Sequence, residues 1–330
     1  MPDPLALLIL VITAAIGFGI VNGVNDAANA IATVIGTRSL SPRAAIIMAA
    51  FLNFAGAATG TAVAITIGKG IVYSEALTTS IVLAGSGAII IWAVVATRYG
   101  MPISLTHGLV AGLVGAGIAT SGSKIIVWGV LGKVLSAVGI APLLGLSGGF
   151  LVMVAIMWLF RRAAPEKMRG VFSNLQILSA AFLAYSHGKN DGQMPIGLIA
   201  MALMVYHGYG EFYIPFWAVV VSAASISFGT LIGGWRVIKT LGLKVTTLRP
   251  VHGFAAEASA ATVIEVASHF GIPVSTTHCI TTAIMGVGAT RRLSAVRWGI
   301  ARNIVLTWIL TFPACAILGW IIASILKLAF

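Results

Sequence analysis

Apolar residues dominate this chain in long stretches at about 4–21, 44–68, 80–97, 107–121, 125–141, 143–160, 172–186, 195–207, 213–235, 254–268, 279–290 and 303–326. Many approach the roughly 20 residues that a helix needs to cross the hydrocarbon core of a bilayer. The pattern predicts an all-α polytopic membrane protein. The opening stretch, 4–37, is too long for one span, because about 34 residues at 1.5 Å each reach about 51 Å against about 30 Å of hydrocarbon. The polar group Asn22, Gly23, Asn25 and Asp26 is the natural place for a break, and 172–206 repeats the arrangement with its interruption at 186–191. Pro102 and Pro273 also sit in apolar surroundings, where each removes a backbone donor and disfavours helix in the residue before it. Discontinuous helices or re-entrant hairpins are therefore expected at two matched pairs of positions. Non-helical backbone at membrane depth is tolerated only where it lines protein or water, so the four breaks point toward one central site.

The breaks match because the chain repeats itself. Asn22-Gly23-Val24-Asn25-Asp26 is echoed by His187-Gly188-Lys189-Asn190-Asp191, and Pro102-Ile103-Ser104-Leu105-Thr106-His107 by Pro273-Val274-Ser275-Thr276-Thr277-His278, roughly 165 to 171 positions apart. Trp128 with Pro142 pairs in the same way with Trp298 and Pro313. The division expected is a first transmembrane repeat over 1–160, a short basic linker over 161–171 and a second repeat over 172–330.

Composition agrees: 59% of residues are hydrophobic and 8% charged, far from the mix of a soluble domain. The net charge of +12 would suggest nucleic acid in a soluble protein, but here the basic residues sit in gaps between apolar segments. No nucleic-acid partner is expected. Arg38 and Arg43 in the first half face a counterpart stretch holding only Glu211, while Lys69 and Glu75 face Arg236, Lys239, Lys244 and Arg249. This alternation fits two halves inserted in opposite senses, as is common among secondary transporters. Arg161, Arg162, Lys167 and Arg169 place the linker in the cytoplasm, with both termini outside, in what is expected to be a prokaryotic cytoplasmic membrane. No basic region precedes the first apolar run, so that segment is expected to stay rather than be cleaved. Cys279 and Cys315 lie in apolar sequence and read as packing residues.

Asp26 and Asp191 carry the sharpest chemical signal, since a carboxylate at membrane depth costs roughly 3 kcal/mol even on lenient scales. With Asn25, Asn190, Asn29 and Gln193 nearby they could form an oxygen-rich cage for sodium, or carry a proton, or cap a helix. Ser104, Thr106, Ser275, Thr276 and Thr277 fall where a helix should begin, and two facing helix N-termini with hydroxyls could hold a tetrahedral oxyanion. His107 and His278 follow those hydroxyls and read either as a proton relay or as structural histidines. His187 and Lys189, beside Asp191, are equally open, and Glu257 and Glu265 share one predicted helix. No phosphate-cradling P-loop, zinc site or nucleophile with its base is present, which argues against an enzyme and against ATP hydrolysis.

With its paired Asn-Asp and Pro-x-Ser-x-Thr-His motifs, the chain resembles the inorganic phosphate transporter (PiT) family over most of its length. The resemblance implies an inverted-repeat helical transporter importing phosphate by symport with sodium or protons, with alternating access. Carried over by motif, Asn25, Asp26, Asn190 and Asp191 would bind the coupling cation, and Ser104, Thr106, Ser275, Thr276 and Thr277 the phosphate. The halves are not equivalent, for Leu105 stands opposite Thr276, and Asn29 opposite Met194 with Gln193 one position away. Membrane lipid is an expected partner and a homodimer an expected assembly; no cofactor is expected beyond the co-transported ion. The alternatives are a sulfate or metal-phosphate permease of the same architecture, with a membrane enzyme or a channel as more distant readings.

Overall fold

The computed structural model describes residues 5–208 and 212–329. Glu211, used above in the charge comparison, lies outside the described residues, as do Met1–Pro4 and Phe330. The first half contains α1 (Leu5–Gly36), α2 (Pro42–Ala57), α3 (Ala62–Gly70), α4 (Thr79–Tyr99), α5 (Leu105–Ser121) and α6 (Trp128–Leu159). The second contains α7 (Pro165–Asp191), α8 (Gln193–Tyr206), α9 (Phe216–Ile232), α10 (Trp235–Lys239) running into a π-helical turn at Thr240–Lys244, α11 (Pro250–His269), α12 (Thr276–Ala289) and α13 (Trp298–Ala329). The expected linker 161–171 is only partly a turn, since helix begins at Pro165.

Among the described residues four helices are individually long and apolar enough to cross a membrane, and up to six spans result if each bent pair is one span. Large apolar side chains such as Leu151 and Trp158 on α6, and Ile309 and Ile317 on α13, are left exposed. In a bilayer these are the faces that meet lipid rather than water.

The all-helical architecture with broken helices is as the sequence predicts, but two of the breaks lie elsewhere. No interruption occurs at Asn22–Asp26, because α1 runs unbroken for 32 residues. A buried polar side chain needs a partner, not an opened backbone. Asn25 donates to the Thr97 hydroxyl at 2.8 Å and Asp26 accepts from Thr277, so tertiary partners serve these residues inside a continuous helix. In the second half the interruption is Gly192 alone, after the motif rather than within 186–191. A Cβ there would lie 2.4 Å from the Ala57 side chain and 2.6 Å from the Gly188 carbonyl, so only glycine fits.

The sharp bends fall instead between α2 and α3 (65°) and between α9 and α10 with its π turn (63°), each inside what reads as one apolar stretch. Gly233, at φ 68° in the second bend, is in the left-handed region. Conversely, 125–141 and 143–160 are one helix, α6, which continues through Pro142 as α13 does through Pro313. The breaks at Pro102 and Pro273 are as expected: an extended segment precedes α5 and α12, and Ser104 and Ser275 cap them by accepting from the His107 and His278 amides.

The two halves are intertwined. First-half α1 packs on second-half α9, and second-half α7 packs on first-half α2. At the first crossing a Cβ on Gly229 would lie 2.0 Å from the Ile20 carbonyl, and at the second a Cβ on Gly56 would lie 2.0 Å from the Tyr185 carbonyl. The same exchange recurs further along, where α5 meets α13 at Gly115 and Ala316, and α12 meets α6 at Gly286 and Leu146. Equivalent residues meeting reciprocally are the signature of a two-fold relation, and backbones this close require small residues. The relation brings the N-termini of α5 and α12 together from opposite directions, with Thr106 donating to the Val274 carbonyl at 3.2 Å.

Candidate substrate and cation site

Where α1, α7 and the N-terminus of α12 meet, Asp26 and Asp191 are both buried, with side chains 3% and 1% exposed. α1 brings Asp26 and, one turn on, Asn29. α7 brings His187 and Asp191, four residues apart and so on one face. α12 presents its first two residues, Thr276 and Thr277. Thr277 donates to Asp26 Oδ1 at 3.3 Å and Thr276 to Asp191 Oδ2 at 3.2 Å. The Asn29 amide donates to both hydroxyls, at 3.1 and 2.9 Å, and so joins the two threonine–carboxylate pairs.

His187 stands between the carboxylates, its Nε2 3.3 Å from Asp191 and 4.0 Å from Asp26. Its Nδ1 pairs with Asn53 Oδ1 at 2.9 Å, and Asn53 in turn donates to Thr230 at 2.9 Å. Because the Asn53 amide nitrogen is occupied by Thr230, its oxygen faces the imidazole. Nδ1 is therefore the donor in that pair, and Nε2 is turned toward the carboxylates. Asp26, His187 and Asp191 thus offer ligand atoms within 4.8 Å of one another.

The structure gathers some of the sequence candidates and not others. Asn190 holds the extended segment before α12, donating to the Val274 carbonyl at 2.8 Å and accepting from the Val274 amide at 3.3 Å. It also donates to the neighbouring Asp191. Asn25 is held by Thr97 on α4. Gln193 is spent elsewhere, its carbonyl accepting from the Val63 and Ala64 amides at the start of α3. It therefore caps a helix in the α2–α3 bend rather than replacing Asn29. Ser104 and Ser275 accept backbone amides as caps, and among the described residues neither hydroxyl donates to a protein acceptor. His107 and His278 touch edge to face at 4.9 Å between ring centroids, packed on Phe312 and Trp308, with all four ring nitrogens buried and without a hydrogen-bond partner among the described residues.

Asn53 and Thr230 were not singled out from the sequence, although a lone asparagine in the apolar stretch 44–68 is a signal of the same kind as Asp26. A second polar cluster surrounds Glu257, which is 0% exposed and accepts from Thr33, Gln176 and Ser179. Gln176 accepts in turn from Thr37 at 2.7 Å and Ser39 at 2.8 Å. Asp26, Asn29, Thr33 and Thr37 fall at helical spacing, so one polar stripe of α1 links the carboxylate pair to the end of the helix. Glu265 is further out and paired with Lys189.

Intertwined inverted repeats, broken helices and paired buried carboxylates at the N-terminus of α12 point to a membrane transporter. Comparison with known proteins agrees. The Phosphate transporter family matches residues 22–319, and the chain belongs to this family. It is 45% identical over 316 residues to a "probable low-affinity inorganic phosphate transporter" of Rhizobium meliloti (strain 1021), covering 95% of this chain and 94% of the relative. A protein of the same name from Bacillus subtilis (strain 168) is 39% identical, with 99% of each chain covered. A solved structure described as "The sodium-dependent phosphate transporter" matches with a TM-score of 0.92 and 28% identity, over 99% of this chain and 100% of that one. The chain is a membrane transport protein and not an enzyme.

Proposed function

We propose that this chain imports inorganic phosphate by symport with sodium, alternating the access of one central site between the two sides of the membrane. The observation that carries this reading is the direct hydrogen bonding of Thr276 and Thr277, at the buried N-terminus of α12, to the two buried carboxylates. An anion at the N-termini of α5 and α12 would meet backbone amides and the free hydroxyls of Ser104 and Ser275, with Thr106 beside them. The carboxylates behind Thr276 and Thr277 would repel that anion unless cations were bound first. Asp26, Asp191 and Asn29 supply hard oxygen ligands for sodium, and the similar solved structure is described as that of a sodium-dependent transporter. Asn190 supports this site by positioning the backbone at Val274, Asn25 ties α1 to Thr97 on α4, and Gln193 is assigned no cation. His107 and His278, stacked on aromatic rings, are assigned to packing around the half-helix ends.

A sidedness is supported by the charge at the two ends. Segments 37–39, 160–169, 243–251 and 291–297 form one continuous face through Gln176, a shared cavity and the Arg297 bonds to the Leu243 and Lys244 carbonyls. That face carries Arg38, Arg161, Arg162, Lys167, Arg169, Lys244, Arg249, Arg291, Arg292 and Arg297, whereas the opposite end, around the Val72–Ile126 bridge, has Lys69, Lys124 and Lys327 with Glu75. The basic face is cytoplasmic by the positive-inside rule, which leaves both termini outside.

The test is labelled phosphate uptake into liposomes holding the purified protein, with sodium and proton gradients imposed separately and sulfate as competitor. Uptake driven by sodium and resistant to sulfate is expected; sulfate transport without phosphate transport would overturn the substrate. A second reading has one observation in its favour, the Asp26, His187 and Asp191 ligand set, which would suit a divalent ion arriving with phosphate. Uptake that requires a divalent ion in the absence of any sodium gradient would select it.

A further inference from the structure

Between the end of α6, the start of α7 and the start of α11 lies a cavity of about 720 Å³. Its walls are of two kinds. Met153, Met157, Phe160 and Val251 form an apolar trough, and α6 leaves further apolar side chains exposed beside it at Leu151, Val154 and Trp158. Arg169, on the second turn of α7, and Arg249, the residue before α11, line the same cavity, accompanied by Glu166. A free oxyanion gains nothing from the trough, and a hydrocarbon chain gains nothing from two guanidinium groups. A ligand that uses both has an anionic head and an apolar tail. Arg161, Arg162, Lys167 and Arg38 stand on the same face, so the net field at the cavity mouth is positive despite Glu166.

We propose that this cavity is a binding site for an anionic phospholipid of the inner leaflet, its phosphodiester held between Arg169 and Arg249 and an acyl chain laid along α6. Arginine suits this role because its planar fork donates two bonds to phosphate oxygens. The site ties together the feet of two helices that meet again deeper in the protein. Two turns into α7 from Arg169 stands Gln176, two turns into α11 from Arg249 stands Glu257, and Gln176 donates to Glu257 at 3.0 Å. Thr37, which also lines the cavity, donates to Gln176. A bound lipid head therefore braces the outer end of the polar cluster below the carboxylate pair. The proposal stands independently of which ion drives transport.

The experiment is native mass spectrometry and thermal unfolding of the full chain purified with phosphatidylcholine, with and without phosphatidylglycerol, for wild type and two paired variants. R169Q/R249Q removes the proposed site; R291Q/R292Q removes equal charge elsewhere on the same face. Wild type should retain phosphatidylglycerol and unfold at a higher temperature with it. R169Q/R249Q should lower retention roughly thirtyfold, at about a factor of five for each basic residue near an anionic head. R291Q/R292Q should leave retention unchanged. Undiminished retention in R169Q/R249Q, or equal loss in both variants, would overturn the site. Displacement of phosphatidylglycerol by inorganic phosphate, with a raised KM for phosphate in R169Q/R249Q, would instead make the cavity a vestibule for the transported anion and overturn the lipid assignment.

Discussion

Replacing Thr277 with valine isolates one bond at the centre of the proposed site. Thr277 is 0% exposed, and valine keeps its shape while exchanging the hydroxyl for a methyl group. The hydroxyl donates to Asp26 Oδ1 at 3.3 Å and accepts from Asn29 at 2.9 Å. Asn29 keeps its second partner, Thr276, at 3.1 Å, so the loss falls on the Asp26 carboxylate. A hydrogen bond to a charged group contributes about 1.5 to 3 kcal/mol, which is roughly a tenfold to hundredfold change in an equilibrium constant. If Thr277 and Asp26 belong to one cation and phosphate site, the two ligands are linked and must move together. The expected outcome is a rise of that size in the KM for phosphate, together with a higher sodium concentration for half-maximal uptake, measured in proteoliposomes over a grid of both concentrations. Thr281→Val provides the matched control: Thr281 is one turn along the same helix, equally buried, and its hydroxyl has no hydrogen-bond partner among the described residues. Identical kinetics for the two variants would refute the reasoning.

Three further sets of substitutions test the carboxylates, the helix crossings and the Glu257 cluster. Asp26→Asn and Asp191→Asn should each abolish gradient-driven uptake while normal amounts of protein reach the membrane, and full activity in both would sink the cation assignment. Gly56→Leu and Gly229→Leu drive side chains into the Tyr185 and Ile20 carbonyls and should each lower stability by about 1 to 3 kcal/mol, whereas Gly129→Leu, with open space around it, should not. Unequal effects of the first two, read from thermal unfolding, would count against the two-fold relation. Glu257→Gln turns an amide toward the donors of Thr33, Gln176 and Ser179 and should cost about 1 to 3 kcal/mol; an unchanged unfolding temperature would show that the cluster contributes nothing to stability.

The repeat was readable because the motifs are short, polar and embedded in apolar sequence, where nothing else competes with the signal. The half-helix starts at Ser104 and Ser275 were readable for a local reason, since proline followed by a capping serine fixes backbone without tertiary help. Asn22–Asp26 misled because helix breaking was inferred from polarity alone, while the partners that let α1 continue, Thr97 and Thr277, lie far away in sequence. The bends after α2 and α9 were hidden in uniform hydropathy, which carries no information on direction. Gln193 illustrates the same limit at the level of one residue: its type suits a cation, but the start of α3 claims its oxygen. Asn53 acquires a role only through His187, and no spacing rule joins residues on α2 and α7.

The charges at the proposed site bear on how coupling is enforced. Asp26 and Asp191 are buried together, and Lys189, adjacent to Asn190 and Asp191 in sequence, is committed to Glu265. Two like charges 4 Å apart in a medium of effective dielectric about 20 repel by about 4 kcal/mol, so an added phosphate at such distances would be disfavoured by roughly a thousandfold until cations offset the carboxylates. On the proposed reading, cation and phosphate therefore each favour the binding of the other through charge. The asymmetry of the hydroxyls refines this. Both carboxylates are bonded by second-half residues, Thr276 and Thr277, whereas Ser104 keeps its hydroxyl proton free on the first-half helix end. Ser104→Ala should therefore raise the KM for phosphate while leaving the sodium dependence at saturating phosphate unchanged, unlike Thr277→Val, which moves both. Loss of the cap costs about 1 kcal/mol of stability in either reading, so the separation between the two ligands is the deciding measurement. A joint shift in Ser104→Ala would place its hydroxyl with the cations and return the anion to the backbone amides alone.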